Sequence, residues 1–364
     1  MSYRIDLPSI DIVFRQLAVS AVQRSERGVL CVIMQDEKQE TGIKKFVYKR
    51  GADVVKTDFS TANYTTLMRA FDVAVNKVYV LRCATGTEFT DVAKQLDKIK
   101  FNYVCTNVKA DQQTLANDIV QRNRDNQGHK CVCVVANPTQ ADSKYVIQLK
   151  GTGGTLKDGT EVKAEDYIIR VASTLCNLPM NRSLTYYVFE DLASWDDSYI
   201  DTENPIGKWI SDGWLTLIND DEVKCGRAIN SLTTFTSTDT EDMSYIIIVE
   251  AMNLIIEDIY TTFKDYYVGK YKNTLSNQRL FITSVNSYFR QLMREEVLDD
   301  SYDNQCYVDV ESQRLAWTGI GKTEAEDWSD SKVEQMTFRT FVYLGGDVKI
   351  SNAMEDLKFT IVMA

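Results

Sequence analysis

The sequence predicts an α/β fold, α+β overall, on three observations. Between 76 and 137, apolar runs of strand length alternate with amphipathic runs of helix length, the pattern of βαβ units and a mainly parallel sheet. Two long amphipathic segments follow after 243, and an apolar period-two run stands near each end of the chain.

Near the start, Ile10, Ile12 and Phe14 alternate with Asp11, Val13 and Arg15, as in a strand. RGVLCVIMQ (27–35) reads as a buried strand and KKFVYKR (44–50) as a short exposed one. TANYTTLMRAFDVA reads as a helix opened by a Thr61 or Asn63 cap. VYVLRCA (78–84), FNYVCTNV (101–108) and KCVCVVAN (130–137) are strands, separated by the helices TEFTDVAKQLDKI and QQTLANDIVQRNRDN. YVIQLKG, a Gly-rich turn, a helix from Ala164 to Cys176 and the strand SLTYYVFED carry this region to about Asp191. From Trp209 to Phe235 the texture is of hairpins around the turn-forming Asn219-Asp220-Asp221.

In MSYIIIVEAMNLIIEDIYTTFKDYYVG, Ile248, Met252, Ile255, Ile259 and Phe263 recur at helical spacing, and Gly269 is placed to stop the helix. In NQRLFITSVNSYFRQLMREEVL, Asn277 is placed as a cap, and Phe281, Val285, Tyr288 and Leu292 form one stripe. QCYVDV and FRTFVYL read as strands. At the end, Leu357, Phe359, Ile361 and Met363 alternate with Lys358, Thr360 and Val362. An uncovered strand with an apolar face is an aggregation hazard, so this run calls for a partner.

With 41 Lys+Arg against 52 Asp+Glu the net charge is −11, which disfavours nucleic acid as a partner because phosphate binding needs clustered cations. No stretch approaches the roughly 20 apolar residues of a membrane span, and MSYRIDLPSIDIVF lacks the order of a signal peptide. The expectation is therefore no membrane binding by this chain and folding in the cytosol. The 8 cysteines sit mostly in apolar runs at irregular spacing, which reads as buried reduced thiols. Cys131 and Cys133 share one strand face, but no second Cys/His pair completes a zinc site.

Gly151-Thr152-Gly153-Gly154-Thr155 resembles a phosphate loop, yet the Lys-Ser/Thr that a P-loop requires is missing, and a surface turn is the simpler reading. His129, the one histidine, lies in the turn NQGHKC and reads as solvated. The carboxylate groups Asp196-Asp197, Asp220-Asp221-Glu222, Glu295-Glu296 and Asp299-Asp300 lack the framework of a calcium loop. No catalytic, cofactor-binding or metal residue is assigned, and the protein is expected not to be an enzyme. Strand-forming ends on an acidic, aromatic-rich body favour assembly, in which a strand donated to a neighbour adds to its sheet. Two alternatives stay open: an α/β enzyme with a dispersed carboxylate site at the carboxyl ends of the strands, and a different self-assembling tube or shell protein.

Several segments together resemble the contractile phage tail sheath family, in particular the short sheaths of Gram-positive prophages and R-type bacteriocin or diffocin-like particles. They are LPSIDIVFRQLAVSAVQRSERGVLCVI, LPMNRSLTYYVFED, GWLTLINDDEVKCGRAINSLTTF, VEAMNLIIEDIYTTFKDYYVGKYKNTLSNQRLFITSVNSYFRQL, YVDVESQR and VKISNAMEDLKFTIVM.

The resemblance implies an N-terminal arm (1–22), an outer α/β sheath domain (23–235), an inner tube-facing α+β domain (236–347) and a C-terminal arm (348–364). It implies that Ile10, Ile12 and Phe14, and Leu357, Phe359, Ile361 and Met363, lie in strands exchanged between subunits. Gly345, Gly346 and the segment Leu17 to Ser25 are candidate hinges. The implied partners are further copies in a helical polymer of stacked rings, the tail tube protein, and baseplate and tail terminator proteins. Assembly would take place in the bacterial host cytoplasm, before release as part of a phage tail or bacteriocin particle.

Overall fold

The computed structural model describes residues 22, 24–139, 141–196 and 205–363. Ile10, Ile12, Phe14, Leu17 to Ala21 and Asp197 lie outside the described residues. The chain divides into two compact units, one holding Glu26–Leu254 and Asn352–Ala364, the other Ile255–Ser351 together with Ser25. The internal division thus falls at 254/255, where the sequence suggests 235/236, and the final segment belongs with the larger unit. The reason is packing: Ile246 is part of the sheet core, and its amide donates to Ala228 O at 3.2 Å.

The larger unit runs β1 (Val29–Gln35), β2 (Ile43–Tyr48), α1 (Thr61–Met68), β3 (Lys77–Cys83), α2 (Phe89–Leu96), β4 (Tyr103–Thr106), α3 (Gln112–Asp125), β5 (Val132–Ala136) and β6 (Val146–Leu149). It continues with β7 (Gly153–Leu156), β8 (Glu161–Lys163), α4 (Ala164–Asn177), β9 (Leu192–Trp195), α5 (Pro205–Ser211), β10 (Trp214–Leu215), β11 (Leu217–Asn219) and β12 (Val223–Cys225). Seven strands form the main sheet in the order β10-β6-β5-β4-β1-β3-β2, parallel throughout except for the antiparallel edge strand β2.

Period-two alternation makes this sheet two-sided. Leu30, Val32 and Met34 of β1 pack in one core with Tyr167, Ile168 and Val171 of α4. Cys31 and Ile33 pack in another with Val92 and Leu96 of α2 and Leu115 and Ile119 of α3. Each such side chain contributes about 1.5–3 kcal/mol by leaving water, which holds helices on both faces.

Local chemistry corrects two caps. Ser60 opens α1, accepting from the Asn63 amide at 3.4 Å, so the cap lies one residue before Thr61. SLTYYVFED is not a strand: Tyr186 has φ +56°, and Val188 makes only an isolated bridge to Lys224.

Helix α6 (Ile246–Thr262) spans the division and ends in a π turn over Phe263–Tyr267, and Gly269 follows at φ +73°. The smaller unit contains α7 (Leu275–Arg294), β13 (Gln305–Val308), α8 (Val310–Gly319), α9 (Asp330–Gln335) and β14 (Leu344–Asp347). Thr274, not Asn277, caps α7, since its hydroxyl accepts the Asn277 amide. The stripe Phe281, Val285, Tyr288 and Leu292 is buried as the sequence predicts. FRTFVYL is mostly irregular, and the strand that forms is the next segment, Leu344–Asp347, paired antiparallel with β13. Trp317, with ring centroids 6.1 Å from Trp328 and 5.0 Å from Phe338, organises a satellite core.

Candidate assembly site

Ser25 and the segment 349–351 are fastened by different means. Ser25 donates from its amide and its hydroxyl to Asp258 Oδ1, and Tyr288 Oη donates to Asp258 Oδ2 at 2.8 Å, so one buried carboxylate holds Ser25. At the other end, Lys349 Nζ reaches Asp299 Oδ2 at 2.7 Å, and the Ser351 amide donates to Val297 O at 3.0 Å.

Within the larger unit, the acidic pair of the AMEDL segment forms a clasp. Arg227 Nη2 donates to both oxygens of Asp356 at 2.7 Å, its Nε faces Glu355 at 3.6 Å, and Ser183 Oγ donates to Glu355 Oε1 at 2.9 Å. The Asp356 carboxylate raises the Arg227 pKa, ahead of an opposing effect of burial. No periodicity or motif links Arg227 to a chain end so distant in sequence, so the clasp is invisible to single-sequence reading.

Beyond Asp356 the chain carries no strand among the described residues. Leu357 is 90% exposed, Phe359 75%, Ile361 74% and Met363 90%, so the alternating side chains expected to be half-buried have no cover among the described residues. Gly345 and Gly346 lie inside the β13–β14 ladder opposite Tyr307 and Cys306. A Cβ on Gly345 would stand 2.8 Å from the Tyr307 ring, so glycine there answers to packing. β13 and β14 form a sheet of only two strands, a size that is marginal alone in water.

The residues that suggested chemistry have structural partners. Gly153 and Gly154 are in β7, flanked by β8 and β9, and a Cβ on either would meet Val162 O at 2.1 Å or Ser194 O at 2.3 Å. The segment is a strand threaded between backbones, where the sequence suggests a surface turn. His129 Nε2 donates to Phe101 O at 2.8 Å. Asp196 accepts from Thr152, Asp220 pairs with Lys224, Glu295 with Arg24 and Asp299 with Lys349.

Burial raises the Cys133 thiol pKa well above its ordinary value and lifts that of Cys83 to about 12, and all eight cysteines are free. No cluster of three or more metal-ligating side chains occurs among the described residues. Nor, among them, is any helix long and apolar enough to cross a membrane.

An enzyme of this topology would hold its ligand where strand order reverses, at the carboxyl ends of β1 and β4. That crevice is filled by the chain's own side chains. Asp36 Oδ2 accepts from the Ser60 amide at 2.9 Å and from Asn63 Nδ2 at 2.8 Å, and Asn107 Nδ2 donates to Asn63 Oδ1 at 3.1 Å and Asp166 Oδ1 at 3.3 Å.

Comparison with known proteins agrees with this geometry. Residues 83–231 match the model of the phage tail sheath protein central domain, and residues 238–364 that of the phage tail sheath C-terminal domain. The tail sheath protein of Clostridium phage phiCD119 is 27% identical over 98% of this chain and 99% of its own. The sheath tail protein of Desulfitobacterium hafniense has a similar fold, with TM-score 0.69 at 17% identity over 85% of this chain and 94% of that one. The anti-feeding prophage helical sheath in its contracted state gives TM-score 0.66 at 11% identity over 99% and 98% of the two chains.

Proposed function

The chain belongs to the phage tail sheath family, and we propose that it is the structural subunit of a contractile sheath that polymerises helically around a tail tube and contracts to drive the tube through a target cell envelope. The observation that carries this reading is the C-terminal arm, clasped at Arg227 and then fully exposed along an alternating apolar run. Such a run has one stable destination, an unfilled sheet edge in another copy, where main-chain bonds and alternate side chains are satisfied together.

The two-stranded β13–β14 sheet is the best acceptor. The main sheet guards its own edges: β2 carries Lys44 and Lys45, and β10 is only two residues long. β14, Leu344-Gly345-Gly346-Asp347, carries no such lysine. Arms fastened by short segments keep subunits connected while rigid bodies exchange contacts, so contraction draws on contacts between bodies and needs no nucleotide. A helical homopolymer, the tail tube protein inside it, and baseplate and tail terminator proteins at its ends are the partners in this reading, in which the chain acts as structure and not as a catalyst. Assembly in the host cytoplasm and release within a tail particle follow from it.

Negative-stain microscopy of the full chain beside a variant ending at Asp356, each with tail tube protein supplied, tests the proposal. Sheaths from the full chain and folded, unassembled protein from the shorter one are expected. Equal assembly of the two would overturn strand donation.

A further inference from the structure

We propose that subunits also meet in a head-to-tail electrostatic contact, in which the basic edge strand β2 of one subunit docks on the acidic β11–β12 turn of a second copy of this chain. The inference rests on the sheath reading for the presence of that second copy, and on charge and exposure for the two surfaces.

In a chain of net charge −11, residues 44–50 hold Lys44, Lys45, Lys49 and Arg50 and no acid. Arg50 is paired with Asp53 and Lys44 lies over the Phe46 ring at 4.8 Å, whereas Lys45 and Lys49 are exposed and make no ion pair among the described residues. Between them on the same strand Val47 is 48% exposed, an apolar side chain flanked by two lysines. β2 is the terminal strand of its sheet, so its outer backbone edge is unpaired among the described residues as well.

The hairpin that follows the opposite edge strand, β10, has the complementary character. From β10 the chain passes through Thr216 into the β11–β12 hairpin, whose turn Asp220-Asp221-Glu222 is exposed. Asp220 is neutralised by Lys224 at 3.0 Å, while Asp221 and Glu222 make no ion pair among the described residues. The edges β2 and β10 are separated by six strand spacings, roughly 29 Å, so one copy cannot join its own basic strip to its own acidic turn. Two different patches, one on the β2 edge strand and one on the hairpin that follows the opposite edge strand β10, define a heterologous contact, and such a contact repeats from copy to copy. Nucleic acid would match the lysines alone and leave the acidic turn without a role. Lysines acting only to guard the β2 edge would likewise leave that turn without a complement.

The test is zero-length carbodiimide cross-linking of an equal mixture of unlabelled and heavy-isotope-labelled full chains, with peptide mass spectrometry. A mixed-isotope link from Lys45 or Lys49 to Asp221 or Glu222 is expected, in sheaths or in soluble oligomers. Lys45→Glu with Lys49→Glu, and separately Asp221→Lys with Glu222→Lys, should each raise the concentration needed for assembly by about tenfold, and mixing the two variants should restore it. Sheaths that form without the link, or reversed variants that assemble unchanged, overturn the contact and leave the sheath reading intact. The link found in oligomers that never become sheaths supports the contact and counts against the sheath reading.

Discussion

Arg227 Nη2 stands 2.7 Å from each carboxylate oxygen of Asp356, and its Nε faces the nearly buried Glu355 at 3.6 Å. One guanidinium therefore serves two carboxylates of unlike surroundings. The Asp356 side chain is 80% exposed, so its pairing is screened, while the Glu355 side chain is only 7% exposed.

Asp356→Asn is expected to change monomer stability by less than about 1 kcal/mol, as for other exposed pairs. Arg227→Ala is expected to cost about 1–3 kcal/mol, because it leaves the Glu355 carboxylate in a poorly solvated position with only Ser183 as donor. Both should assemble poorly, since the arm then leaves its subunit in no fixed direction. Urea denaturation read beside sheath yield checks this, and equal stability costs for the two variants would argue against the asymmetric clasp.

The filled crevice at the head of the sheet makes a pH prediction. Burial works against the Asp36 carboxylate, but hydrogen bonds from Asn63, the Lys38 amide and Ser60 outweigh it and hold its pKa below the ordinary value. A carboxylate depressed by folding adds stability above its unfolded pKa of about 3.9, and that contribution is lost as pH falls through the folded value. Stability should therefore fall below about pH 4, and Asp36→Asn should cost about 1–3 kcal/mol at neutral pH while flattening the acid slope. Denaturant midpoints across pH decide it; an unchanged slope in the variant would show that Asp36 is not part of that titration.

What was legible in the sequence follows from which forces act locally. VYVLRCA, FNYVCTNV and KCVCVVAN became β3, β4 and β5 because continuous apolar runs bounded by helices leave a doubly covered strand as their only economical state. The Ala164 helix ends one residue from its expected stop, at Asn177. Tertiary effects stayed hidden. Gly345 and Gly346 suggest freedom in sequence, but Gly345 sits against the Tyr307 ring and Gly346 against the Gln305 backbone, and the tie between Arg227 and Asp356 joins segments with no shared pattern. The terminal run reads as half-buried, and in the single chain it is exposed, because its cover is not encoded in its own neighbourhood.

The glycine-rich run makes a sharper test of strand against turn. Gly154→Ala places a methyl 2.3 Å from Ser194 O, and Gly153→Ala one 2.1 Å from Val162 O with φ at +149°. Both contacts are with backbone, so neither is relieved by a rotamer change, and a loss of about 2–3 kcal/mol or more is expected for each. Gly159→Ala, at φ +85° with open space around it, should cost only about 1 kcal/mol. Urea midpoints of the three variants rank the sites, and a Gly159 cost equal to the other two would mean that β7 is not tightly enclosed.

The arm itself predicts a face-specific outcome. Phe359 and Ile361 are 75% and 74% exposed, so replacing both with Ser should leave the thermal unfolding of the monomer unchanged. In a neighbour's sheet the same side chains would share one face, and each would contribute about 1.5–3 kcal/mol on burial. The double variant should therefore lose assembly, while Lys358→Ala with Thr360→Ala, on the opposite face, should assemble as the unaltered chain does. The period of two is the discriminating feature. A tail that adhered to its neighbour without strand pairing would be weakened in proportion to the apolar area removed and would show no alternation, and sheath yield across single serine substitutions from Leu357 to Met363 would then decline smoothly instead of in alternate steps.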